Sequence, residues 1–274
     1  MAKKNINEMS FLDHLEDLRW HLIRATSAIM IVGSLAYVFS KHLFDGIIFA
    51  PTKMDFPTYA FLCRAATTLG LDTTFCAEEI PMIIQSRTMA GQFSADIWTS
   101  IYAGFIIAFP YVIYQLWKFI SPGMHANERN HSRGFIIICS LLFFLGVLFG
   151  YYIVTPLSIN FLANYSISEL VDNQIDIGSY IGLVRSAAIA SGLVFELPII
   201  IYFLTKIGLV TPEFLRKYRK YALVIVLVLS AIITPPDIAS QIIVAIPILI
   251  LYQVSIYISK VVVRNQKRKE KANV

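Results

Sequence analysis

The chain has 274 residues, 57% of them hydrophobic and 15% charged, with a formal net charge of +5 at pH 7. One soluble core of this size does not hide so much apolar surface, so an ordinary soluble domain is excluded. The positive charge does not point to nucleic acid, because the basic residues lie at the ends of apolar runs rather than in one patch.

The N-terminal "MAKKN" is basic, but the next apolar run begins near Leu22 and continues at spanning length, so no cleavable signal peptide is expected. The stretch "MSFLDHLEDLRWHL", residues 9–22, reads as a short amphipathic helix. Phe11, Leu15, Leu18 and Leu22 share one face at helical spacing, and Ser10 with Asp13 fits a Ser-x-x-Asp capping box. From Glu8 to Asp17 the chain carries the acids Glu8, Asp13, Glu16 and Asp17 and no Lys or Arg. A solvated helix start, favoured by the helix dipole, accounts for such acids without any ligand.

Six spans are predicted, at 20–40, 95–117, 134–157, 179–204, 221–234 and 239–259. The fold class is therefore an all-α polytopic membrane protein with six transmembrane helices. Residues 1–19 form a cytoplasmic amphipathic segment. Residues 20–259 form the transmembrane domain, with a long outer loop at 41–94, and 260–274 form a basic cytoplasmic tail. One set of segments holds Arg19 and Arg24, Lys118 and Arg129, the run Arg216 to Lys220, and the tail from Lys260; the other holds only Lys41, Lys53, Arg64 and Arg87. Both termini are thus expected in the cytoplasm. The fifth span is short. About 14 residues between Lys220 and Pro235 make about 21 Å of helix against a hydrocarbon core of about 30 Å. The bilayer is expected to be pinched there, or polar groups to enter it.

Cys63 and Cys76 lie in the outer loop and could close a ring of about 14 residues, contributing on the order of 3 kcal/mol. Cys139 is expected to be packing. The inner loop "WKFISPGMHANERNHSRG" has a turn at Pro122-Gly123 and an acid, Glu128, among bases. Two carboxylate sites on one face suit a ligand with two neighbouring cations. Arginine is the natural choice, since it is always charged and grips carboxylates through a bidentate fork. Glu196, within "SGLVFELPIII", costs several kcal/mol at membrane depth unless neutral, paired or hydrated. A neutral acid bonded to a neighbouring helix and a functional group both fit. Arg185 shares its face but lies about 16 Å away, and is expected to snorkel outward. In "TPPDIASQ", residues 234–241, two prolines end one helix, Asp237 can cap the next, and Gln241 can bond across helices. Pro110, Pro156, Pro198 and Pro247 predict kinks.

The chain has no HExxH, G-x-S-x-G or Gly-rich phosphate loop, and its histidines lack metal-ligand spacing, so neither an enzyme nor a metal or other cofactor is expected. Paired broken helices in two matching halves, the mark of inverted-repeat transporters, are not evident.

Taken together, these residues resemble the TatC family, the multi-spanning subunit of the twin-arginine protein translocase. The likeness runs from about residue 9 to 260. It is carried by "HLEDLR" (14–19), "FISPGMHANER" (119–129), "FGYYIVTPLSINFL" (149–162), "FELP" (195–198) and "TPPDIASQIIVAIP" (234–247). The resemblance implies a receptor that binds the Arg-Arg signal peptides of folded precursors at the cytoplasmic face of the inner membrane. It also implies single-span partners of the TatA/TatB type, export driven by the proton gradient, and a homo-oligomer within a larger complex. The family's signal-binding carboxylates correspond to Asp17 and Glu128, with Phe119 and Pro122 nearby and Glu16 a neighbour able to share the task. The membrane glutamate corresponds to Glu196, and the polar partner-contact cluster to Thr234, Asp237 and Gln241. Pro51 matches a proline of the family's first outer loop. Asp17 stands where Glu is usual, His21 where Arg is common, and Gln253 where Glu is common; the cysteine-bearing loop is not a general family feature. The alternative is a proton-coupled secondary transporter that uses Glu196; a membrane scaffold is a further one.

Overall fold

The computed structural model describes residues 11–69, 76, 80–121, 132–168, 173–234 and 238–272. In chain order its main elements are α1 (Phe11–Val38), α2 (Pro57–Leu69), β1 (Ile83–Gln85), α3 (Gly91–Ile120), α4 (Ser132–Phe149), a π-helical turn (Gly150–Val154) and α5 (Thr155–Asn164). There follow β2 (Gln174–Asp176), α6 (Ile177–Phe195), α7 (Leu197–Lys206), α8 (Pro212–Lys217), α9 (Arg219–Ile233) and α10 (Ile238–Ala272).

Five stretches among the described residues are long and apolar enough to cross a membrane: Leu15–Val38, Gly91–Ile120, Gly134–Asn164, Ile177–Lys206 and Ser240–Arg268. They cover the predicted spans one to four and six. The predicted fifth span is α9, whose 15 residues make about 22 Å. Large apolar side chains on the spans stay exposed, Ile31 at 64% and Ile232 at 76%, as lipid-facing residues must.

Several boundaries differ from expectation. The predicted short N-terminal helix is not separate, because nothing between Phe11 and Gly33 is a Gly or Pro that would break it; α1 runs from that segment into the span without interruption. Its predicted apolar stripe is not buried, with Leu15 at 45% and Leu22 at 56% exposure. The third span continues past 157 to Asn164. Pro156 has no N–H and would clash in a regular helix, and the π-turn just before it absorbs the mismatch. The Thr155 hydroxyl donates to the carbonyl of Gly150 at 2.9 Å, which satisfies backbone in that turn. The tail predicted to begin at 260 is helical to Ala272. The outer loop holds α2 and β1, and β1 pairs in parallel with β2, Ile84 opposite Ile175. The helical class therefore carries one two-stranded exception.

The chain divides into two compact units, Met1–Gly46 with Thr88–Leu141, and Ile47–Arg87 with Leu142–Val274. In the first, α1 packs on α3 at Gly33 and Gly104. A Cβ on Gly104 would lie 2.6 Å from both the Gly33 nitrogen and the Ile29 carbonyl oxygen, so only glycine permits the approach.

In the second unit, Gly146 and Gly150 seat the third span on α6. A Cβ on Gly146 would come within 2.6 Å of the Ser191 carbonyl oxygen, and one on Gly150 would collide with that of Ala187. Val154, Ala187, Val226, Val244, Ala245 and Ile248 form the core of this unit. Near its outer loop Tyr59 is 1% exposed and its hydroxyl donates to the carbonyls of Pro51 at 3.0 Å and Pro156 at 3.2 Å. Burial pushes that phenol's pKa up. Pro51, singled out in sequence, thus supplies an acceptor that fixes α2.

Cys63 and Cys76 are joined by a disulfide with a Cα–Cα distance of 5.0 Å, tying position 76 back to α2. Cys63→Ser is expected to lower stability by about 3 kcal/mol, read as an earlier thermal transition. In the unmodified protein both thiols should resist alkylation until reductant is added. Cys139 is a buried free thiol.

Candidate functional site

The first candidate region lies at the end of the α1–α3 pair. Asp17 and Glu16 are both exposed on α1. One turn after Asp17, His21 is half-buried, and its Nδ1 lies 2.8 Å from Oε1 of Gln115 on α3. An amide oxygen only accepts, so this contact makes Nδ1 the protonated nitrogen. Gln115 is 4% exposed, and one turn further along α3 the Phe119 ring meets His21 edge-on at 6.4 Å between centroids.

Helical geometry separates the two acids. Asp17 is about 40° round the axis from His21, while Glu16 is about 140° away. Asp17 therefore lies beside the face that meets α3, and Glu16 on the far side. Asp17 thus stands one helical turn from a half-buried imidazole that itself meets an aromatic ring. That is a setting for a flat cation that both pairs with acids and stacks on rings.

Pro122 and Glu128 lie outside the described residues. The residues that flank them are in place, however. Trp117, 6% exposed, packs on Phe135 with ring centroids 4.4 Å apart, which holds the end of α3 beside the start of α4.

The second region lies in the other unit, at two breaks between apolar helices. The fourth span is two helices, α6 and α7, meeting at Glu196, which is 9% exposed. Pro198 explains the break, since it cannot donate in the second helix's first turn. The Glu196 amide bonds to the Leu193 carbonyl at 3.1 Å, and the amides of Ile199 and Ile200 bond to the Glu196 carbonyl at 3.0 Å.

Thr234, 4% exposed, ends α9 and donates its hydroxyl to Ser230 at 2.8 Å. Gln241, in the first turn of α10, donates through Nε2 to the Leu227 carbonyl on α9 at 3.0 Å, a cross-helix bond of the kind its position suggested. Asp237 lies outside the described residues.

Three features had not been read from the sequence. Gln115 is an amide within an apolar run, a signal as plain as Glu196. Gly146 and Gly150 form a G-x-x-x-G spacing on the third span. Asp176, the N-cap of α6, accepts from the Gly178 amide at 2.8 Å and from the Arg87 amide at 3.3 Å, and so links the two strands' ends.

Spanning helices with an acidic helix face at one end and buried polar residues at breaks define a polytopic helical membrane protein. The family model for Sec-independent protein translocase protein (TatC) matches residues 13–247. The Sec-independent protein translocase protein TatC of Blattabacterium sp. subsp. Periplaneta americana is 44% identical over 94% of this chain and 97% of its own length. The TatC protein of Aquifex aeolicus is 34% identical over 96% of this chain and all of its own. A crystal structure of the twin-arginine translocase receptor TatC in DDM superposes with a TM-score of 0.69, at 34% identity, over 90% of this chain and 99% of that one. The chain belongs to the TatC family. This is a transport family and not one of enzymes.

Proposed function

We propose that this chain is the receptor subunit of a twin-arginine translocase in the inner membrane, with both termini in the cytoplasm. It binds the Arg-Arg signal peptides of folded precursors at the cytoplasmic face and assembles with TatA/TatB-type single-span proteins for export driven by the proton gradient. The observation that carries this reading is Asp17 on the α3 side of α1, one turn from the His21–Gln115 contact and the Phe119 ring. Asp17 takes one guanidinium, and Glu128, with Pro122 in its segment, takes the other. The crystallised relative described as a twin-arginine translocase receptor supports the same role. Thr234, Asp237, Gln241 and Glu196 serve the partner helices from within the bilayer.

The test is site-specific cross-linking of a twin-arginine signal peptide to the full-length protein in membranes. Asp17→Ala and Glu128→Ala are each expected to weaken binding about tenfold, the loss of one charge-assisted hydrogen bond, while Glu16→Ala stays within about twofold. A Lys-Lys peptide should bind less well than Arg-Arg, because an ammonium cannot form the fork. Unchanged cross-linking in the Asp17→Ala/Glu128→Ala double variant would falsify the site.

A further inference from the structure

A cleft of about 380 Å³ opens between α8 and the C-terminal part of α10. Arg216, Lys260, Arg264, Lys267 and Arg268 line it, with Glu213 the sole acid of the lining. The geometry points to a binding site for the phosphate headgroup of an anionic phospholipid.

The helix register builds the site. Lys260, Val263, Arg264, Lys267 and Arg268 follow the i, i+3, i+4, i+7, i+8 pattern, so they form one face of α10. Arg216 closes the face from α8. The two walls are tied together. The Tyr252 hydroxyl on α10 donates to the Leu215 carbonyl on α8 at 2.8 Å, and Leu215 is buried against Ile201 and Ile256. Gln266 also donates to the carbonyl of Lys206 at the end of α7 at 3.0 Å, which braces α10 against a third helix. The cations are therefore held on a fixed frame before any ligand arrives, which reduces the ordering cost of binding.

Position selects the ligand. Lys260 follows the apolar run directly, and Arg264 stands about 6 Å beyond it, within the headgroup layer of about 5–7 Å on each side of a bilayer, while Lys267 and Arg268, about 10 and 12 Å beyond it, stand on the aqueous side of that layer. Val263 and Pro212 add apolar lining between the cations, as suits a headgroup entering from the lipid side. Arginines grip phosphate through paired N–H donors, and the lysines add point charge. Basic pockets between helices at the membrane boundary are suited to acidic lipids.

The probe is phosphatidylglycerol, compared with phosphatidylcholine, on full-length protein purified in neutral detergent, with retained lipid counted by native mass spectrometry. The cleft variant is Arg216→Gln/Arg264→Gln/Arg268→Gln. The control, Lys217→Gln/Arg219→Gln/Lys220→Gln, removes equal charge outside the cleft lining. Wild-type protein should retain phosphatidylglycerol preferentially; the cleft variant should bind it about tenfold more weakly, and the control within about twofold of wild type. Single Arg264→Gln, expected to show a smaller loss, keeps the test valid if the triple variant fails to fold. Equal loss in the two triple variants, or equal retention of the two lipids, overturns the site. Displacement by excess inorganic phosphate reassigns the cleft to a soluble anion, and displacement by polyglutamate reassigns it to an acidic protein segment.

Discussion

Gly104→Leu is expected to leave little folded protein in the membrane. A Cβ at this position would stand 2.6 Å from the Gly33 nitrogen and from the Ile29 carbonyl oxygen, and 2.7 Å from the Gly33 Cα. These are backbone atoms of a facing helix, so no rotamer change relieves the overlap. α1 must move outward, and the small-residue packing that holds two helices together in lipid is lost. The cost should exceed about 3 kcal/mol, beyond the usual range for overpacking by a side chain alone. It reads as a fall in the melting temperature of the detergent-solubilised protein and in its steady-state level. Gly104→Ala should show a smaller loss of the same kind. The displacement would also break the His21–Gln115 contact, so signal-peptide cross-linking should fail along with stability. A Gly104→Leu protein that melts like wild type would show that α1 does not pack on α3 at this point.

Glu196→Ala should reduce export of a twin-arginine precursor about tenfold or more, while Glu196→Gln stays within about threefold. Glu196 is buried where α6 gives way to α7, and a buried polar group is tolerated there only by bonding. Glutamine keeps the size and the hydrogen-bonding capacity and discards only ionisation. Alanine discards all three and leaves a cavity at a helix break. If glutamine is as harmful as alanine, bonding alone is not the role, and ionisation is required. Proton-coupled flux of a small solute through the reconstituted protein would then be the decisive measurement, and its presence would favour the transporter reading.

Much of the architecture was legible because long apolar runs, charges at their ends and internal prolines are all local signals. Pro198 and the α6–α7 break, and the 15-residue α9, follow from such signals directly. What was not legible depends on contact between distant segments. His21 and Gln115 are 94 residues apart, and neither shows the other in its own neighbourhood. The same distance hid which of Glu16 and Asp17 lies nearer the face of α1 that meets α3. The strands escaped because three residues are too few for an alternating pattern to register. Gly104, Gly146 and Gly150 read as unremarkable members of apolar runs until their backbone neighbours are known.

The length of α10 has an electrostatic consequence. Its 35 residues make a rod of about 52 Å, well beyond a hydrocarbon core of about 30 Å. At physiological ionic strength fields between exposed charges decay over about 8 Å. Arg264, about 6 Å past Lys260, stays within that range of the bilayer edge, whereas the helix backbone at position 271 stands about 17 Å out, two such lengths away. One helix therefore carries two electrical populations. The nearer cations respond to the acidity of the membrane, and the farther ones respond to whatever polyanions the surrounding solution brings and to its salt.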